Sequence, residues 1–498
     1  MEKCGIFNHI SPTILIMQKA IKLIGREQET DKLDTLLLSP QPEFLAVYGR
    51  RRVGKTFLIR RYLKNNIAFD ITGTQYGSKE QQLTNFFDEY VRKIKGKKNI
   101  PPPANWHQAF SYLAGYLKTT AKAKTKQVVF IDEMPWFDTP KSEFISALEF
   151  FWNQHASKMK HVLLIACGSA SSWIKKKLIN ARGGLHNRVT QRIKLMPFNL
   201  HETELFIKAK GISLSRYQIL ELYMAMGGIP LYLNQVVKGK SATQLIDEMC
   251  FSKKGLLHGE YAQLYHSLFK NARYHVAVIA ALAAQPQGVS RQALAARTKM
   301  SEGSLSRALE ELVDCDFISV YDPYINKKKE AVYKLTDLYS LFYLKFIKPN
   351  KATGKGAWKQ LSAGSSFTAW SGYAFENICM MHIQQVKTAL GIQGVYAITN
   401  SWMFKGNDAL PGAQIDMIID RADNTINLCE AKFTKDNFII TKNYAAQLKL
   451  KKTIFGQVSQ TKKTTFTTLL TTYPAIKNNY YQDEIENEIT MDKLFERD

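Results

Sequence analysis

No single stretch limits the fold of this chain as tightly as positions 44–62, F-L-A-V-Y-G-R-R-R-V-G-K-T-F-L-I-R-R-Y. An apolar run ends at Gly49, a basic loop follows, and a helical pattern begins at Lys55. Gly49, Gly54, Lys55 and Thr56 fit G-x-x-x-x-G-K-[ST], a loop that cradles phosphate. The strand-before, helix-after setting is the one this chemistry requires. Backbone N–H groups along Gly49, Arg50, Arg51, Arg52, Val53, Gly54, Lys55, Thr56 and Phe57 converge on phosphate oxygens, and the helix N-terminus adds partial positive charge. Lys55 is expected to reach the β- and γ-phosphates, and the Thr56 hydroxyl to ligate Mg²⁺. The expected cofactors are therefore ATP and Mg²⁺.

A chain of 498 residues has room for about three domains. Apolar residues make up 45% and charged residues 22%, as in a soluble globular protein. The formal net charge of +25 favours a polyanionic partner, most simply DNA. The six cysteines form no C-x-x-C pair, so no zinc or redox motif is read, and a reducing cytosol suits them. The apolar run at 13–17, with Lys3 before it, is too short for a signal peptide. With no apolar run of about 18 residues, no membrane span is expected. A homo-oligomer is compatible with the sequence.

Further motifs support the loop. Positions 24–38 read as Gly25-Arg26-Glu27 and then an amphipathic helix with Leu33, Leu36 and Leu37 inward. At 126–136, K-Q-V-V-F-I-D-E-M-P-W, a buried strand ends in Asp132 and Glu133, a Walker B pattern. Asp132 is expected at Mg²⁺, and Glu133 is expected to polarise the attacking water. A further strand at 161–169 ends in Gly168-Ser169, where a polar residue can sense the γ-phosphate. Arg188 is the most plausible arginine for that phosphate, with Arg192 and Lys194 nearby; a solvated basic loop is the other reading. Gly227-Gly228 breaks a helix and Pro230 restarts one.

Together G-R-R-R-V-G-K-T at 49–56, F-I-D-E at 130–133, C-G-S at 167–169 and G-G-I-P at 227–230 resemble the archaeal-type ATPases of the STAND/AAA-like branch of P-loop proteins. The resemblance spans 21–240. It implies that the G-G-x-P turn lies against the nucleotide, with Pro230 at the adenine.

Beyond it, helices are read at 276–284, 290–297 and 301–313, the second opened by a serine cap at Ser290. Strands at 317–321 and 331–335 are joined by a turn with Lys327, Lys328 and Lys329. This is a winged-helix pattern. Its third helix, with Ser304 and Arg307 outward, suits a major groove; a protein–protein or interdomain role is equally open. A Gly- and Lys-rich linker follows at 348–357.

In the last unit a helix carries Glu376, and a hairpin turning at Asp423 places Asp416 opposite Glu430. Strand alternation puts Glu430 and Lys432 on one face. Two carboxylates with a lysine can hold Mg²⁺ and activate water, with Glu376 as a third carboxylate and Gln447 as a further contributor. D…E-x-K at Asp416, Glu430 and Lys432 resembles the PD-(D/E)-x-K nuclease superfamily over 367–472. Positions 435–477 add eight lysines against one acidic residue, Asp436, which suits a phosphate backbone.

The expected protein is α/β. It has an N-terminal extension (1–20), a P-loop parallel-sheet ATPase core (21–240), a helical segment with winged helix (241–347), a linker (348–366) and an α/β nuclease-like domain (367–498). Its expected activity is ATP binding and hydrolysis, acting on or controlled by DNA, with a metal-dependent endonuclease gated by nucleotide. The alternatives are a STAND-like signalling switch, or a nucleotide-driven DNA-binding regulator, with a C-terminal domain that cuts nothing.

Overall fold

The computed structural model describes residues 23–94, 100–121, 125–322, 324, 331–350 and 356–497. The continuous apolar runs at 43–48, 127–132 and 162–168 become central parallel strands buried on both faces, while the two edge strands, at 67–72 and 191–194, stay partly exposed. They are β1 (Glu43–Tyr48), β2 (Ile67–Thr72), β3 (Gln127–Asp132), β4 (Val162–Gly168) and β5 (Gln191–Lys194), in the order β2-β3-β4-β1-β5. All their pairings are parallel. The P-loop leaves β1, and Asp132 and Gly168 end β3 and β4, so the motif residues meet at the carboxyl edge of one sheet. The first helix runs Glu27–Leu38 and buries Leu33 and Leu36 fully; Leu37 is only partly buried.

The middle unit holds helices Ala272–Ala283, Arg291–Thr298 and Glu302–Asp314. Ser290 and Ser301 cap the second and third by accepting N–H bonds from Ala293 and Ser304, at 3.3 and 3.4 Å. Strands β6 (Val289–Ser290), β7 (Ile318–Tyr321) and β8 (Val332–Leu335) form an antiparallel sheet in the order β6-β8-β7. Lys327, Lys328 and Lys329 lie outside the described residues, as do the N-terminal run at 13–17 and Cys4. The other five cysteines are free and buried.

The last unit has a mixed sheet in the order β13-β12-β11-β10-β9. Its strands are β9 (Ala397–Phe404), β10 (Ala413–Arg421), β11 (Thr425–Lys432), β12 (Thr464–Thr471) and β13 (Asn487–Thr490). Met417 faces Cys429 and Ile418 faces Leu428, the register the turn at Asp423 implies. Helices Ser365–Met381 and Lys442–Ser459 carry the other functional candidates.

Two features bear on how the units are joined. The expected linker is not open chain throughout: Ala357–Leu361 is helical, and Trp358 is buried at 3% exposure against Phe251, Phe342 and Phe346. Asp247 fastens it by accepting the N–H groups of Gly356 and Trp358 at 2.6 and 2.9 Å. The Gly-Lys composition stops at Gly356, and the next apolar side chains find a core. Nor do the boundaries near 240 and 347 separate cores. Val47 of β1, Leu312 and Phe342 of the middle, and Phe375 and Met417 of the last unit belong to one buried cluster.

Candidate functional site

The P-loop closes because Gly49 has no side chain. A Cβ there would lie 2.2 Å from the Leu195 carbonyl oxygen, at a φ of 142°. Lys55, 5% exposed, donates to the carbonyl oxygens of Gly49 and Arg50 at 2.9 and 3.0 Å and to Ser169 Oγ at 3.0 Å. Thr56 Oγ1 donates to Asp132 Oδ2 at 2.8 Å. Burial pushes the Asp132 carboxyl above its ordinary range, against the pull of that bond. Ser169 Oγ donates to Glu133 Oε1 at 2.6 Å, and its N–H to Oε2 at 3.2 Å. Lys55, Thr56, Asp132, Glu133 and Ser169 thus form one connected set.

A cavity of about 430 Å³ lies over the loop. Arg51, Arg52, Val53, Gly54, Lys55, Thr56 and Phe57 line it with Glu133, Ser169 and Pro230. Its apolar side is Leu23, Ile24, Phe198, Phe206 and Leu231. Arg26 closes one end, donating to the Val53 carbonyl at 3.2 Å and lying 4.5 Å over the Phe198 ring. Gly228 sits so close to Phe198 that a Cβ would meet its carbonyl oxygen at 1.8 Å, which brings the G-G-I-P turn to the pocket. Pro230 and Ser169, both expected from the sequence, line this cavity. Phe198 and Phe206 were not foreseen, since their only signal is apolar character.

Two of the expected loop residues point elsewhere. The Arg50 side chain leaves the phosphate side and pairs with Asp337 of the middle unit at 2.6 Å, each side chain 4% exposed. Burial alone would lower the Arg50 pKa, but Asp337 offsets this and holds it above the ordinary value. Only the Arg50 backbone therefore remains for a phosphate. Arg52 lines the cavity but its guanidinium pairs with Glu260, which also accepts from Tyr232 Oη at 2.9 Å. Arg188 is exposed, outside the cavity lining, and its Nε donates to Gly184 O at 3.4 Å.

In the last unit, Glu376, Asp416, Glu430 and Lys432 do come together. Asp416 Oδ2 accepts the Ala431 N–H at 3.0 Å, which holds it beside β11. Glu430, 2% exposed, lies 3.8 Å from Lys432 Nζ. Burial, then Asp416, pushes Glu376 up to about 8 and Glu430 up to about 7. Buried Lys334 of β8 is held below its ordinary value by burial, against the pull of Glu376 and Asp416. Lys451, which the motif did not reveal, donates to both Glu430 oxygens at 2.7 Å. Tyr444 Oη is 3.5 Å from the same carboxylate, whereas Gln447 is exposed. Among the described residues no group of three or more His, Cys, Asp or Glu is arranged to hold a metal ion.

Residues 23–236 match a family described as an ATPase domain predominantly from Archaea. An uncharacterised protein of Methanocaldococcus jannaschii is 23% identical over 389 residues, 77% of this chain and 82% of its own. The Walker-type ATPase of Pyrococcus abyssi superposes with a TM-score of 0.48 at 20% identity, over 65% of this chain and 96% of its own. The ORC2 protein of Aeropyrum pernix gives 0.40 at 12%, over 70% and 98%. No described helix is long and apolar enough to cross a membrane. The loop, the acidic strand end and the family match over 23–236 agree: the chain carries a P-loop ATPase domain.

Proposed function

We propose that the chain hydrolyses ATP and that its nucleotide state governs how the C-terminal domain engages DNA. The observation that carries this reading is the cluster of Glu376, Asp416, Glu430 and Lys432 on a chain that also holds a complete P-loop.

In the ATPase domain, Lys55 is poised to turn from Ser169 and the loop carbonyls to the β- and γ-phosphates. Thr56 and Asp132 offer the hydroxyl and carboxylate oxygens that suit Mg²⁺, which would neutralise phosphate charge there. Glu133 would take the proton of the attacking water, and Ser169 holds its carboxylate in line. Pro230 and Phe198 would flank the base.

The middle unit is read as a winged helix and the last as a PD-(D/E)-x-K nuclease-like domain. There Asp416 and Glu430 would offer acidic oxygens to a Mg²⁺, with Glu376 as a third, once Lys451 left Glu430, and Lys432 would orient the water. The eight lysines of 435–477 and the net charge of +25 support a DNA backbone as partner. One observation favours the second reading, a switch that cuts nothing: the ammonium of Lys451 sits on both Glu430 oxygens, where a cation would bind.

The test is plasmid and linear DNA with Mg²⁺ or Mn²⁺, with and without ATP, for wild type, Lys55→Ala and Lys432→Ala. Cleavage by wild type that disappears in Lys432→Ala and changes in Lys55→Ala is the expected result. Intact ATP hydrolysis with no cleavage under any condition would establish the switch instead.

A further inference from the structure

A second cavity, of about 610 Å³, opens between the ATPase sheet and the helical middle. Glu133 and Ser169 form the wall it shares with the nucleotide pocket. Its other side is aromatic: Tyr76, Trp136 and Trp173. Tyr76 is 81% exposed and meets the Trp136 ring edge-on at 5.3 Å. Trp173 is fixed by its Nε1, which donates to Asp138 Oδ2 at 3.0 Å.

These rings are held rather than adrift. Buried Gln82 accepts the Thr74 N–H at 3.1 Å and donates to the carbonyl oxygens of Thr74 and Trp136 at 2.7 and 3.3 Å. That fastens the Tyr76 turn to the Trp136 segment. The backbone here is also strained, with φ of 59° at Tyr76 and 45° at Glu133. Bulky side chains rarely adopt such a conformation, and a solvent-exposed tyrosine gains no core packing in return.

The carboxylates around the cavity are already engaged. Asp138 pairs with Lys177 at 3.6 Å, Glu311 with His275 at 2.7 Å, and Glu133 with Ser169. Exposed Lys270 and His266 stand at the rim, and exposed Lys176 and Lys177 follow Trp173 in the chain.

We propose that this cleft binds an unpaired nucleic-acid strand, with bases against Tyr76, Trp136 and Trp173 and phosphates on Lys270 at the rim. The inference rests on the reading that the chain's polyanionic partner is nucleic acid. An exposed Tyr76 ring beside half-buried Trp136 and Trp173, with a lysine at the rim, suits a single strand; a duplex hides the faces of its bases. Because Glu133 and Ser169 are the shared wall, a strand in the cleft touches the groups set to act on the attacking water. Its arrival then reads directly as a change in ATP turnover.

The test is fluorescence anisotropy with labelled oligo(dT) and a labelled duplex, on wild type, Tyr76→Ala and Tyr76→Phe, with thermal midpoints as a check on folding. Tyr76→Ala weakens oligo(dT) binding about tenfold and leaves duplex binding alone, while Tyr76→Phe binds like wild type. Equal oligo(dT) affinity in wild type and Tyr76→Ala, with duplex still bound, would overturn the cleft and leave the DNA reading standing. Tyr76→Phe as weak as Tyr76→Ala would overturn stacking as its basis. Binding of neither nucleic acid would overturn both the cleft and the DNA reading.

Discussion

Glu133 stands at the point where the two cavities meet, and its carboxylate is held by the Ser169 hydroxyl and N–H. Glu133→Gln keeps an acceptor for Ser169 but removes the base. Phosphate release should fall by about 10²–10⁴-fold while fluorescent ATP analogues still bind; undiminished turnover would remove Glu133 from the chemistry. His382 gives a prediction of a different kind. Its Nε2 accepts the Leu200 N–H at 2.9 Å and its Nδ1–H donates to Ile378 O at 2.8 Å, so only the neutral ring fits. Burial depresses its pKa from 6.5 to about 4. The unfolded chain therefore takes the proton first as pH falls. This contribution to stability is complete above about pH 6.5 and is lost as pH falls from there to about 4. The loss approaches about 3 kcal/mol. Glu376 and Glu430, pushed up to about 8 and 7, titrate over the same window with the opposite sign, so the check is a difference. The stability gap between wild type and His382→Leu should shift against wild type as pH falls from about 6.5 to about 4. A gap that does not change with pH would remove His382 from the titration.

Helix Arg216–Met226 spans about 16 Å. It links the two sites physically. Its far end runs into the Gly227-Gly228 turn, which leads to Pro230 in the nucleotide pocket. Near its start, Tyr217 stacks on Phe433 and Tyr473 at 5.4 and 5.7 Å, and Phe433 directly follows Lys432. Tyr217→Ala should leave ATP hydrolysis near wild type and abolish the effect of ATP on the C-terminal domain, read as ATP-dependent DNA affinity or cleavage. Persisting ATP dependence would exclude this helix as the link. Such connections mark the limit of the sequence. The P-loop strand, the acidic strand end and the hairpin register were legible because each is written in adjacent residues with a period of its own. Lys451 was not, since it reaches Glu430 from another element 21 positions away. Nor was the true partner of Arg50, because a basic run beside a phosphate loop reads as phosphate-facing until Asp337, 287 positions on, claims one of its members.

At the scale of the molecule, the P-loop is fastened to the middle unit by its own arginines. Arg50 reaches Asp337, which also caps helix Leu338–Phe342 by accepting the Ser340 N–H at 2.9 Å. Arg52 reaches Glu260. A buried pair adds little net stability over an apolar pair of similar size, but losing one partner strands a charge and costs about 3–5 kcal/mol. Asp337→Ala should lower stability by about that amount in denaturant titrations. The double variant Arg50→Met, Asp337→Leu should recover most of it, because no charge is left buried. If the pair serves only to hold the units together, the double variant will keep wild-type control of the C-terminal domain by ATP. If the loop signals through it, the double variant will fold, hydrolyse ATP and lose that control. Stability and coupling thus separate in one protein, and the continuous core across all three units makes the second outcome the expected one. A rigid shared core holds the units together without the ion pair, so loss of control in the folded double variant would assign the pair to transmission of the loop's state.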